Sequence, residues 1–249
     1  MQPSVYFITS LFISLSILLI TIYPIREKMS ENFYLRIQSW WWMVLVLTIF
    51  VYLGPNFMPL LIGFIGLHSV KEVWKAKMNN SAVTRTSSWL TLGLIALITT
   101  LILSLTFLTF YLPNSVSLGY VVYLIFATQS SDVLQYFCGK KWGKRSLLPQ
   151  ISPNKTCEGA IGGVLISSVL SSCVGLYLTE MVWWQSWCVS IVLATLGIIG
   201  DLYVSWFKRR VQIKDMGGLI PGHGGMLDRV DSLLFAAPCF CLLGVLGIR

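Results

Sequence analysis

Long apolar stretches alternate with short polar ones along the chain, at residues 4–24, 39–53, 57–70, 88–112, 119–137, 159–178, 182–200 and 231–247. Several of these approach or exceed the ~18 residues that a helix needs to cross the hydrocarbon core of a bilayer. The pattern predicts an all-α, polytopic integral membrane protein with about eight transmembrane helices. The second and third stretches are short and meet at Gly54-Pro55-Asn56, which suits tilted helices or a broken, re-entrant pair.

The polar stretches test that division, because cytoplasmic loops of membrane proteins collect Lys and Arg. Arg26, Lys28 and Arg36 follow the first stretch; Lys71, Lys75, Lys77 and Arg85 follow the third. Lys140, Lys141, Lys144, Arg145 and Lys155 follow the fifth; Lys208, Arg209, Arg210, Lys214 and Arg229 follow the seventh. Those four loops hold 17 of the 18 basic residues and leave Arg249 for the other side. Both termini are therefore expected outside the cytoplasm. The stretch from Pro3 to Tyr23 lacks the basic start and small-residue cleavage site of a secretory signal, and reads as a retained helix.

Composition agrees: 55% of residues are hydrophobic and 11% charged, far below the roughly 25% charge of a soluble domain. The formal charge of +8 fits loops facing anionic headgroups and gives no reason to invoke nucleic acid. The six cysteines form no C-x-x-C pair, so neither a zinc site nor a disulfide framework is expected. Trp40, Trp41, Trp42, Trp183, Trp184 and Trp187 stand near span ends, the usual place for interfacial anchors. No repeat or linker divides the chain, which reads as one membrane domain over 1–249. Residues 1–112 form its less specific N-terminal helices, and 119–249 its motif-bearing half.

Chemistry is confined to two loops, 128–163 and 200–231, expected on the same cytoplasmic side. In the second, Asp201, Ser205 and Lys208 have helical spacing and share a face if the seventh helix runs past the membrane surface. Asp228 and Asp231, three apart, share another. Carboxylates at a membrane boundary are costly unless paired, solvated or bound to a cation, so three that can converge suggest a divalent metal. Magnesium suits them, since it takes few protein carboxylates and fills its shell with water and phosphate oxygens. Ion pairing with Arg209 or Arg229 is the competing reading of the same acids.

Between these acids lies the glycine-rich P-G-H-G-G around His223, with Lys208, Arg209 and Lys214 as phosphate-directed cations. In the earlier loop a helix is expected to begin near Thr156. Ser152, Asn154, Lys155 and its free N–H groups could then cradle a phosphate. Glu158 fits either a helix-start acid or a ligand contact, and Asp132 opens the charged stretch of the same loop.

These residues resemble the phosphatidate cytidylyltransferases, or CDP-diglyceride synthetases. Their signature S-x-hydrophobic-K-R-x4-K-D, continuing through H-G-G to D-R-hydrophobic-D, is filled from Ser205 to Asp231. Their upstream S-P-K-K-T-x-E-G-x-x-G-G is matched with Asn154 in place of the first Lys; Gln135 and Cys157 stand where many members have Ala and Trp. The resemblance is strong over the C-terminal half. The first four spans match only in being hydrophobic.

The resemblance implies transfer of a cytidylyl group from CTP to phosphatidate, giving CDP-diacylglycerol and pyrophosphate, by a homodimer, with Asp132 adding to the polar cavity. The compact length leads us to expect a bacterial inner membrane, and the basic loops a site facing the cytoplasm. The resemblance also implies magnesium, with or without a second cation, on Asp201, Asp228 and Asp231. Lys208, Arg209, Lys214 and Lys155 would hold phosphates, and His223 would contact a phosphate, move a proton or serve only as a turn residue. The competing functions are a cytidylyltransferase or CTP-dependent kinase for another lipid, and a transporter, whose acids would sit nearer the bilayer midplane.

Overall fold

A computed structural model describes residues 2–23, 31–78, 85–112, 116–218 and 224–245. The helices are α1 (Pro3–Ile22), α2 (Glu31–Leu53), α3 (Met58–Met78), α4 (Arg85–Tyr111), α5 (Ser117–Trp142), α6 (Cys157–Leu178), α7 (Trp183–Arg210), α8 (Leu227–Val230) and α9 (Leu233–Val245). Between α5 and α6 lies an antiparallel hairpin, β1 (Ser146–Leu148) and β2 (Ser152–Thr156).

Among the described residues, four helical segments are long and apolar enough to cross a membrane: Pro3–Thr21, Ser88–Tyr111, Cys157–Leu178 and Trp183–Arg210. Their outward faces carry large apolar side chains, including Ile13 and Ile17 on α1, Leu103 and Phe110 on α4, and Ile161, Leu165 and Val169 on α6. Inside, serines are buried instead: Ser167, Ser168, Ser171 and Ser172 on α6, Ser186 and Ser190 on α7. Small polar residues within and bulky apolar ones without are the arrangement of helices that associate in lipid, where close packing replaces the hydrophobic drive.

The α5–α6 contact is the most extensive, and glycine makes it so. A Cβ on Gly159 would lie 2.8 Å from the Gln135 carbonyl oxygen, and one on Gly163 would strike the Gln135 side chain and backbone. Tyr123 of α5 reaches α7, its hydroxyl donating to the Ser186 carbonyl at 2.9 Å and lying 2.7 Å from Ser190 Oγ. Further contacts join α6 to α7, α3 to α4, and α9 to both α4 and α7.

The structure alters two expectations. The chain is mostly helical as expected, but the hairpin puts Ser152, Asn154 and Lys155 on a strand rather than in a loop. The second and third apolar stretches belong to continuous helices of 23 and 21 residues, longer than expected because the polar flanks 31–38 and 71–78 are also helical. The turn between them passes through Gly54 at φ 102°, a left-handed conformation that glycine adopts without a Cβ clash.

Candidate active site

Four segments meet at one end of the bundle: β2, the last turns of α7, the α8 turn and the C-terminal end of α3. A 28-residue helix is about 42 Å long, against the ~30 Å of a bilayer core, so α7 has length to project beyond it. Asp201, Ser205 and Lys208 lie on those last turns as the spacing predicts, with Ser205 Oγ donating to Asp201 Oδ1 at 3.2 Å.

Each acid–base pair joins distant parts of the chain. Lys155 of β2 is ion-paired with Asp201, both side chains about a fifth exposed. Within β2, Asn154 is exposed while Lys155 beside it is partly buried. Lys208 Nζ donates to Asp228 Oδ1 at 2.8 Å, and here the side chains are only 12% and 7% exposed. The other oxygen, Asp228 Oδ2, accepts from the backbone N–H groups of Met216 and Gly225, both at 3.0 Å.

Asp231 is buried, its Oδ1 accepting from Ser232 N at 2.9 Å. Asp201, Asp132 and Asp228 are its acidic neighbours, and Lys208 opposes them. Close approach of α7 makes this arrangement possible: a Cβ on Gly200 would strike the Asp231 carbonyl oxygen. Asp132 of α5 points its buried Oδ1 into this region without a hydrogen-bond partner.

Other residues singled out in the sequence take different places. Arg209 is exposed and its Nε donates to the Ile151 carbonyl at 3.2 Å, tying α7 to the hairpin turn; Lys214 is exposed. Ser152 is half-buried opposite Leu148. Glu158 Oε2 accepts from Lys144 N at 3.0 Å and Arg145 N at 3.2 Å, so it braces the chain before β1. Thr156 caps α6 by accepting from Gly159 N at 3.1 Å, and Glu158 is the acid of its first turn. His223 lies outside the described residues.

The sequence reading missed two groups. Glu72 of α3 accepts from Met226 N at 2.8 Å and Leu227 N at 2.9 Å. The Gln129 amide of α5 donates to the Arg229 carbonyl at 3.4 Å and Ser232 Oγ at 3.3 Å. The available signal for Glu72 was an acid at a span end in a chain with only ten acids.

Among the described residues, no group of three His, Cys, Asp or Glu side chains is arranged as a ready metal site. The donor set nevertheless fits a hard cation. It is all carboxylate oxygen, three further acids neighbour Asp231, and a buried Asp132 oxygen lacks a partner.

A model described as the cytidylyltransferase family matches residues 82–246, about two thirds of the chain. The chain belongs to the cytidylyltransferase family. It is 42% identical over 145 residues to a phosphatidate cytidylyltransferase of Staphylococcus haemolyticus, covering 57% of this chain and 54% of that one. It is 45% identical over 117 residues to a phosphatidate cytidylyltransferase of Helicobacter pylori, covering 47% and 44%. It is 42% identical over 120 residues to an uncharacterized protein, YnbB, of Escherichia coli strain K12, covering 48% and 40%. The chain thus spans about half the length of the curated relatives it matches.

Proposed function

We propose that this cytidylyltransferase-family chain converts CTP and phosphatidate to CDP-diacylglycerol and pyrophosphate. The observation that carries the reading is the pair of lysine–aspartate bridges, Lys155–Asp201 and Lys208–Asp228, beside buried Asp231. Two relatives named phosphatidate cytidylyltransferase support the choice of substrates.

In the reaction a phosphate oxygen of phosphatidate attacks the α-phosphorus of CTP. A new P–O–P bond forms, the bond to the β-phosphate breaks, and its electron pair leaves with pyrophosphate. No protein nucleophile is needed, so catalysis is positioning and neutralisation of phosphate charge. Lys155 and Lys208 exchange their aspartates for phosphate oxygens, while Asp201 and Asp228 hold them until substrate arrives. Arg209 and Lys214 extend the positive surface toward incoming nucleotide, and His223 contacts a phosphate or moves a proton.

Asp201, Asp228 and Asp231 are the proposed magnesium ligands, with or without a second cation, and the ion would supply charge neutralisation on the phosphates. Ser152, Asn154, Ser205, Asp132 and Glu158 complete the proposed binding region. Eight membrane-crossing helices, a cytoplasm-facing site in a bacterial inner membrane and a homodimeric state belong to the same proposal, supported by the basic loops and the family resemblance.

Product analysis tests the reading. Purified protein with CTP, phosphatidate and magnesium should yield CDP-diacylglycerol and pyrophosphate in equal amounts. Release of CDP with a phosphorylated lipid would make it a kinase, and turnover only with another lipid phosphate would replace phosphatidate as acceptor.

A further inference from the structure

The α8 turn is held from outside the family-matched region. Residues 82–246 match the family, whereas Glu72 lies on α3 before them. Its carboxylate spans two consecutive amides, Oε1 accepting from Met226 N and Oε2 from Leu227 N. The preceding amide, Gly225 N, goes to Asp228 Oδ2. Three successive N–H groups are therefore divided between Glu72 and Asp228.

The surrounding glycines leave room for this grip. A Cβ on Gly225 would lie 2.6 Å from Glu72 Oε2, and one on Gly217 would lie 2.7 Å from Oε1. Both flanks of the carboxylate are thus walled by bare backbone. The same two flanks hold Asp228, through Gly225 N and through Met216 N beside Gly217. Any shift of the turn away from Glu72 must move Asp228 against Lys208.

We infer that Glu72 is a positioning residue: by binding the Met226 and Leu227 amides it sets the α8 turn and so holds Asp228 opposite Lys208, the arrangement from which phosphate transfer starts. The inference rests on the cytidylyl-transfer reading for its kinetic consequence, and on the hydrogen bonds alone for its structural one. Glu72 touches no reacting atom.

Two measurements on the full chain in lipid–detergent micelles separate these parts. The first follows hydrogen exchange of the 224–231 backbone in wild type, Glu72→Ala and Glu72→Gln. Loss of two charge-assisted bonds should speed exchange at Met226 and Leu227 about 10-fold or more in Glu72→Ala, with exchange in α6 unchanged. Glu72→Gln, which keeps one acceptor, should fall between.

The second measures initial rates against phosphatidate. Glu72→Ala should lower kcat about 10- to 100-fold with KM for phosphatidate little changed, and Glu72→Gln should recover part of the loss. Gly225→Ala should harm turnover in wild type and add less to the loss in the Glu72→Ala background, where the colliding carboxylate is gone. Unchanged exchange at Met226 and Leu227 in Glu72→Ala overturns the inference. So does faster exchange with wild-type kcat. If wild type forms no CDP-diacylglycerol, the functional reading fails instead, and retained protection in Glu72→Ala would still overturn the positioning role.

Discussion

Lys208 and Asp228 are more enclosed than Lys155 and Asp201, and the difference predicts how each pair responds to loss of its lysine. Breaking a buried pair costs about 3–5 kcal/mol because a charge is left without its partner, whereas a solvated pair is worth about 1 kcal/mol or less. Lys208→Met should therefore lower the thermal midpoint in detergent more than Lys155→Met. Both should reduce turnover by about 100-fold or more if each lysine neutralises phosphate charge. Equal midpoints for the two variants would contradict the burial argument. That Asp201 and Ser205 share a face could be read from the sequence because four residues on one continuous helix make about one turn. The Lys155–Asp201 pair could not, since its partners are 46 positions apart and meet only when β2 crosses α7. Glu72 was further hidden, 154 positions from the amide it binds and set among lysines that read as a loop charge pattern.

Helix–helix approach sets the framework for those pairs, and glycine substitutions probe it. Gly163→Ala would drive a methyl into Gln135, and overpacking of this kind costs about 1–3 kcal/mol. Gly63 on α3 has nothing within 4 Å of the position a Cβ would take, and Ala there should be neutral or stabilising by up to ~1 kcal/mol. Thermal unfolding of the two variants should move in opposite directions, or Gly63→Ala not at all. Thr156→Ala removes the α6 cap and should cost ~1 kcal/mol in the same assay. Among the described residues, hydropathy located every long helix because apolar runs mark the part suited to lipid. It truncated α2 and α3 because their polar ends are helical without being apolar. It also missed the β1–β2 hairpin. Strands of three and five residues, the second containing Pro153, carry too little alternation to distinguish from a loop.

At the scale of the whole molecule, apolar helices present a lipid-suited exterior while the charged residues of β2, α7 and α8 gather at one end. Such a distribution suits chemistry on a headgroup at the membrane boundary better than passage of a solute through its middle. The proposed magnesium dependence belongs to this scale: chelation should abolish turnover, and added magnesium should restore it without refolding. Sustained turnover in excess chelator would remove the metal from the account. The most direct test of the central claim supplies CTP labelled at its α-phosphate, with phosphatidate and magnesium, and follows label into the lipid fraction beside an Asp228→Ala control. The account predicts labelled CDP-diacylglycerol from wild type and none from the control. Folded, CTP-binding protein that leaves the lipid unlabelled, or a control that labels it as fast as wild type, would contradict the account.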